Sequence, residues 1–384
     1  MKIAMFGGTF NPPHNGHIRA ACACVNALAL DRLILMPTAV PPHKALPKFS
    51  ATSEQRLHMA RLCEKLIPKC EVSSLEISRG GASYTADTLA ELSRLYPDDE
   101  LFIIMGTDML KTLDSWYRPE KICALAKIAA VARHNGELDF LKKRAFELKE
   151  KLNADITVIK SEPVDISSTQ VREGELADVP KSVAEYIKNE CLYIDFDKLS
   201  EKAKSTLSEK RFLHTQGVAE LAASLAEKYG ESVNCAYCAG LLHDITKELP
   251  LSEQIEFAKS HGIVYDYDEE NIKELIHADT AAAVAQKLGI CEKVVSAVKY
   301  HTTGKENMSL LEKIVFVADA CEKNRKWSDA PYLRELAMRD IDEASIFLAE
   351  NTIKRLENLG KKPYYRTVDA LLYLKAHRKD GKNE

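Results

Sequence analysis

No stretch of this 384-residue sequence approaches the ~20 consecutive apolar residues of a membrane-spanning helix, and the opening MKIAMFGG lacks the pattern of a secretory leader. Both absences lead us to expect a soluble cytoplasmic protein with no membrane partner. An excess of one charge is missing too: 53 Lys and Arg stand against 57 Asp and Glu, and division at Asp195 leaves both halves near balance. Neither half reads as a basic nucleic-acid module. Internal repeats and low-complexity segments are absent. A second CxxC is also lacking: Cys235 and Cys238 in NCAYCAGLL stand alone at that spacing, whereas a structural zinc site would need two such pairs. They lie in a helical pattern, where cysteine packs as a small apolar residue, and the ten scattered cysteines fit a reducing compartment.

What is present suffices for two cores. The length exceeds that of one average domain, and 46% of the residues are hydrophobic. Up to about residue 195, the runs KIAMFGG, RLILMPT, EVSSLEI, ELFIIMGTD, AKIAAVAR and ITVIK read as strands. Between them, HIRAACACVNALAL, SEQRLHMARLCEKLI and TADTLAELSRLY follow helical spacing. Strands separated by helices predict an α/β domain with a Rossmann-like parallel sheet, ligands lying at the strands' carboxyl ends. Beyond Asp195 every apolar window follows helical spacing, from FLHTQGVAELAASLAEKYG to EASIFLAENTIKRLENLG. The second half is therefore expected to be all-α, with a boundary in YIDFDK and domains at 1–195 and 196–384.

GGTFNPPHNGH, residues 7–17, reads as a strand end, a glycine turn and a helix start. Gly7 and Gly8 let the backbone approach an anion, and a helix beginning near His17 would point amides and its positive dipole end toward it. His14 and His17 fall close together there and can donate to phosphate oxygens. It is no Walker A loop, since GKS or GKT is missing. Ser167, Ser168 and Thr169 can cap a helix whose first turns carry Arg172. Asp108 follows the strand ELFIIMGT, where open α/β sheets place ligand-binding residues. Trp116, one of only two tryptophans, offers an indole face for a pyridinium ring, with core packing as an equal alternative. Tyr84 and Thr85 precede a helix and read equally well as caps.

Six stretches in order, GGTFNPPHNGH, PPHK, SYTADTL, GTDML followed by Trp116, VARHNG and ISSTQVR, resemble the bacterial nicotinate-nucleotide adenylyltransferases of the HxGH nucleotidyltransferase superfamily. The resemblance implies in-line attack of the nicotinate mononucleotide phosphate on the α-phosphorus of ATP, with Mg²⁺ accompanying the ATP. It assigns catalysis to His14, His17 and Arg172. Substrate contacts would come from Gly7, Gly8, Thr9, His43, Lys44, Tyr84, Thr85, Asp108, Trp116, Arg133, Ser167, Ser168 and Thr169. The RHNG around Arg133 departs from the family's RPG-like sequence. HxGH transferases making coenzyme A precursors or cytidylyl products are the rival readings. A class I tRNA synthetase is disfavoured by the lack of a KMSKS-like segment.

In the second half, His243 and Asp244 are adjacent in LLHDITK, and His214, His277, His301 and Asp319 lie on or near separate apolar helical stretches. Buried ionisable groups without partners cost several kcal/mol, and metal coordination supplies partners. Mixed imidazole and carboxylate donors favour iron, manganese, cobalt or zinc over magnesium. The order resembles the HD superfamily of metal-dependent phosphohydrolases, whose H…HD…D pattern falls on His214, His243, Asp244 and Asp319, with His277 and His301 for a second metal. HTxxV, LLHDxxK and VxxAD resemble its symmetrical diadenosine tetraphosphate hydrolase branch. That resemblance implies one or two transition-metal ions, iron first, Asp244 as bridge and catalytic group, and two ADP as products. Lys247, one turn on, can neutralise a phosphate or simply be solvated. The rivals are another nucleotide substrate, or a nucleotide-sensing module that regulates the transferase. The expected partners are thus ATP, nicotinate mononucleotide and diadenosine tetraphosphate, without nucleic acid; a homo-oligomer is compatible with the sequence.

Overall fold

The computed structural model describes residues 1–41, 46–47, 49–132, 136–162, 166–267 and 272–378. They form two compact units, Met1–Ile187 and Lys188–Glu384. The first holds one parallel sheet built from β1 (Lys2–Gly8), β2 (Arg32–Pro37), β3 (Cys70–Val72), β4 (Glu100–Gly106), β5 (Lys127–Ala132) and β6 (Ile156–Lys160). Their order is β3-β2-β1-β4-β5-β6.

The strands read as unbroken apolar runs because both faces are covered. Ile3 and Met5 of β1 pack on one face with Ile34, Met36, Ile103 and Met105, under the helices Thr85–Leu95 and Glu137–Leu152. Ala4 and Phe6 point the other way, with Leu33, Leu35, Phe102 and Ile104, under the helices Asn15–Leu28 and Ser53–Glu64. β1 pairs with β2 up to Gly8↔Pro37 and with β4 from Lys2↔Glu100 to Met5↔Ile103. The strand order reverses between β1 and β4, so the crevice for ligands opens beyond Gly8 and Gly106. The expected α/β architecture is observed. EVSSLEI departs from expectation: only Cys70–Val72 is strand, and Leu75–Arg79 turns helical. Ser73 starts the turn by accepting the Leu75 amide at 3.2 Å, and Glu76 is drawn inward to a 2.7 Å bond from Thr88.

The second unit is helical throughout its described residues. Ser208, Ser232 and Ser309 cap the helices Glu209–Tyr229, Val233–Leu242 and Leu310–Cys321, each hydroxyl accepting an amide of the first turn. Two further helices, Ile272–Lys287 and Glu292–Tyr300, complete the frame. A side chain at Gly240 would overlap the backbone of Ala219, so the helices Glu209–Tyr229 and Val233–Leu242 cross at backbone contact. That crossing brings His214 toward His243. The helix Phe196–Thr206 begins behind Asp195, which caps it by accepting the Lys198 amide at 2.9 Å. Residues just upstream already belong to this unit, since the Glu190 carbonyl accepts the Ser232 hydroxyl at 3.2 Å. No helix among the described residues is long and apolar enough to cross a membrane.

Candidate active sites

In the first unit, the helix after β1 begins at Asn15, two residues before the sequence pattern suggested, and His14 is its N-cap. The His14 amide donates to Nδ1 of His17 at 3.2 Å, and the two rings lie 3.8 Å apart. A neutral His17 with Nδ1 accepting carries its proton on Nε2, as a donor toward an anion. Phe10 meets the His17 ring edge-on at 5.2 Å. Gly16 leaves room for the His14 ring: a Cβ there would stand 3.0 Å from it, and the ring would have to give way. At Gly7, by contrast, a Cβ would meet only the Met5 methyl at 3.8 Å, so packing within the protein does not demand glycine, and the bare backbone faces open space.

Residues from the distant ISSTQVR segment close over this corner. Arg172 donates to the Asn11 carbonyl and to the Thr169 hydroxyl, both at 2.8 Å, and Ser168 donates to the Pro12 carbonyl at 2.9 Å. Thr9, Asn11, His17, Ser168 and Arg172 line a cavity of about 210 Å³. This is smaller than the ~300–1,000 Å³ of pockets for drug-sized ligands and suits phosphate groups. Ser167 is the N-cap of the helix Ser168–Arg172, its hydroxyl accepting the Gln170 amide at 3.2 Å.

The other expected contacts lie elsewhere. Asp108 is exposed just past β4. Trp116 packs partly against the core, its indole N–H donating to Thr112 at 3.1 Å. Tyr84 caps the helix that Thr85 begins, with its ring 4.8 Å from that of Tyr117. None of these four lines the cavity beside His17. His43, Lys44 and Arg133 lie outside the described residues.

In the second unit all six expected donors converge. Nε2 of His214 stands 3.0 Å from Asp319 and 3.8 Å from Asp244, and Nε2 of His243 stands 3.4 and 3.7 Å from Asp244 and Asp319. His277 and His301 approach the other oxygen of Asp244 at 3.4 and 3.8 Å, their Nε2 atoms 3.2 Å apart. The outer nitrogens are anchored. Nδ1 of His243 and of His301 meets the carbonyls of Gly240 and Val298 at 2.7 Å, and that of His214 meets Glu322 at 3.1 Å. Donation from Nδ1 leaves the Nε2 lone pair aimed inward, which is how metal-binding imidazoles are held. His214, His243 and Asp319, and likewise His243, Asp244 and His301, place donor atoms within 4.8 Å of one another. The residues thus fit a metal of the nitrogen- and oxygen-binding class.

The electrostatics agree. Burial alone would raise the Asp244 carboxyl, but His243, His277 and His301 outweigh it and hold it well below the carboxylate range. Asp319 is lowered in the same way, against its burial, by the adjacent His214 imidazole and the charge of Arg325. Burial pushes His277 well below the imidazole range and His301 down to about 4, aided by neighbouring imidazoles. Lys247 is half-buried: its ammonium lies 3.1 Å from Nδ1 of His277, and burial lowers its pKa.

Three functional residues are not evident from the sequence pattern. Arg211 donates to Asp244 at 2.9 Å, and Arg325 binds the Asp319 carboxylate and donates to its carbonyl at 2.7 Å. Arg211 sits three residues before His214 on one helix face, which was a usable signal. Arg56 is 1% exposed and bridges the carbonyls of Thr9 and Ala39, both at 2.8 Å. It shares the inner face of its helix with Met59, Ala60 and Cys63, an arginine at a core position.

Comparison with known proteins places both units. Residues 5–174 match the cytidylyltransferase-like family and residues 211–324 the HD domain family. The fold and sites therefore define a nucleotidyltransferase unit joined to an HD domain. A "probable nicotinate-nucleotide adenylyltransferase" of Shewanella baltica is 38% identical over 218 residues, covering 50% of this chain and 100% of that protein. The chain belongs to the nicotinate-nucleotide adenylyltransferase family, with the HD domain as its second part. A "probable nicotinate-nucleotide adenylyltransferase/Ap4A hydrolase" of Mycoplasma genitalium is 28% identical and covers 94% of this chain and 99% of its own. A solved HD superfamily hydrolase from Clostridium acetobutylicum is 36% identical, covering 48% of this chain and 99% of that one, with a TM-score of 0.46.

Proposed function

We propose that the chain transfers AMP from ATP to nicotinate mononucleotide in its first unit and hydrolyses diadenosine tetraphosphate symmetrically, to two ADP, in its second. The grouping of His17, Arg172, Thr9 and Ser168 around one cavity at the switch point carries the first reading. Phosphate attack on the α-phosphorus of ATP needs no covalent intermediate, so catalysis rests on positioning and charge neutralisation. His17 donates from Nε2 and Arg172 from its guanidinium to the phosphates, while the buried His14 fixes the ring of His17. Gly7 leaves backbone room for the nucleotide, while Gly8 makes room for the Phe10 ring, which a Cβ there would meet at 3.2 Å. Mg²⁺ bound to ATP would supply further neutralisation of the phosphate charge. Trp116, Asp108, Tyr84, Thr85, His43, Lys44 and Arg133 are assigned to the substrates by family likeness.

For the second reading, the convergence of four imidazoles and two carboxylates on one buried point carries the argument. His214, His243, Asp244 and Asp319 would hold one ion, and His277 and His301, with Asp244 between, a second, iron being first choice. Such ions lower the pKa of a bound water so that hydroxide is available near neutral pH. Arg211 and Lys247 flank Asp244 and can accept the phosphates of a dinucleoside polyphosphate. The Mycoplasma relative named for both activities supports joining them in one chain.

A paired assay of the whole protein tests both readings. His17→Ala should abolish dinucleotide formation and spare hydrolysis, and Asp244→Ala should do the reverse. Two ADP per substrate supports symmetrical cleavage, whereas ATP with AMP refutes it. Tight binding without turnover would make the HD domain a sensor.

A further inference from the structure

The CxxC that reads as core packing has company in the fold. Cys191 and Cys291, a hundred residues apart in sequence, stand with their sulfurs 3.6 Å apart, and Cys235 joins them with all three within 4.8 Å. Cys238, one turn beyond Cys235 on the helix Val233–Leu242, is also buried and neighbours Cys191, outside the trio whose sulfurs all lie within 4.8 Å. The sulfur separation is far longer than the ~2.05 Å of a disulfide. It is close to the ~3.8 Å edge of a tetrahedron of sulfurs placed ~2.3 Å from zinc.

We propose that Cys191, Cys235, Cys238 and Cys291 form a structural zinc site, separate from the HD-type constellation. The surroundings suit a bound cation held by thiolates. Cys291 is the N-cap of the helix Glu292–Tyr300, its carbonyl accepting the Val294 amide at 3.1 Å, beside the Lys293 ammonium. Buried thiols clustered in this way are the protonated counterpart of a metal-thiolate centre. Zinc binding releases those protons to solvent, with no change of oxidation state. Four buried sulfurs without imidazole select zinc over the harder metals expected beside His243.

The site would clasp three segments: the chain at Cys191 and the helices Val233–Leu242 and Glu292–Tyr300. Those two helices end at His243 and His301, so the clasp would set the spacing of both imidazoles.

Cobalt substitution of the full-length protein, purified under reducing conditions, tests the site. The HD constellation contains no sulfur, so a sulfur-to-cobalt charge-transfer band reports the cysteines alone. The expected result is a band saturating at one cobalt per chain, displaced by zinc, retained in Asp244→Ala and lost in the double variant Cys191→Ser with Cys291→Ser. Should that variant not fold, thiol labelling of the zinc-loaded wild type replaces it: protection of four thiols, relieved by chelation, supports the site, and labelling unaffected by zinc overturns it. Absence of the band in wild-type protein, or its survival in the double variant, overturns the proposal, whatever becomes of the HD activity.

Discussion

The amide of His14 donates to Nδ1 of His17 at 3.2 Å, so a backbone bond sets which nitrogen of His17 bears the proton. The proton then sits on Nε2, beside the cavity that Arg172 also lines. Loss of a donor aimed at transition-state charge costs ~10²–10³ in rate. His17→Ala should therefore lower kcat for dinucleotide formation by at least that factor with thermal stability little changed, as steady-state assays and melting curves would show. A loss confined to KM would contradict a role in the transition state.

Gly16→Ala separates stability from activity. Alanine is worth roughly 0.8–1 kcal/mol over glycine within a helix, which favours the folded state. Yet the new methyl would press on the His14 ring at 3.0 Å and turn it away from His17. The expected outcome is a melting temperature equal to or above wild type, with adenylyl transfer reduced tenfold or more. Unaltered kinetics would mean that the ring of His14, tilted against that of His17, contributes nothing.

The sheet was legible because β1, β2 and β4 are apolar without interruption and end in glycine or proline, a pattern that only strands covered on both faces produce. The HD constellation was legible because each histidine or aspartate follows or interrupts an apolar helical run. Arg325, in the loop after the helix Leu310–Cys321, and Arg56 were not, because an arginine reads as solvated until the partner carbonyl or carboxylate is seen; Arg211 was signalled only by its spacing from His214. The four cysteines were harder still: Cys191 and Cys291 meet only through tertiary packing. EVSSLEI misled because its two serines favour a strand turn or a helix start equally, and the buried Glu76 decides for the helix.

Arg56 yields the third prediction. Its guanidinium ties the loop after β1 to the loop after β2 through two carbonyls, and charged hydrogen bonds contribute about 1.5–3 kcal/mol each. Arg56→Met keeps much of the apolar stem and removes both bonds. Denaturant unfolding should show a loss of roughly 3–6 kcal/mol in the first unit, and KM for ATP should rise as Thr9 loses its anchor. Arg56→Lys should recover only part of this, because one ammonium cannot reproduce the fork of the guanidinium. Full recovery by lysine would show that charge alone matters.

The last prediction concerns the metal-free HD domain. Burial holds His301 down to about 4 and His277 well below its ordinary value, whereas an unfolded imidazole titrates near ~6.5. Depressed folded values mean that the unfolded chain takes up protons first. Stability is then fully present above ~6.5 and is lost as the pH falls from there toward 4. His243 is shifted upward by Asp244, despite its burial, and opposes the trend, but it is one imidazole against two. Chelator-treated protein should therefore melt at progressively lower temperature between pH 7 and pH 5. Adding manganese or iron at neutral pH should raise the transition by mass action on the folded state. A metal-free melting temperature that is flat across this range would show that the imidazoles are solvated and that the constellation is not preassembled.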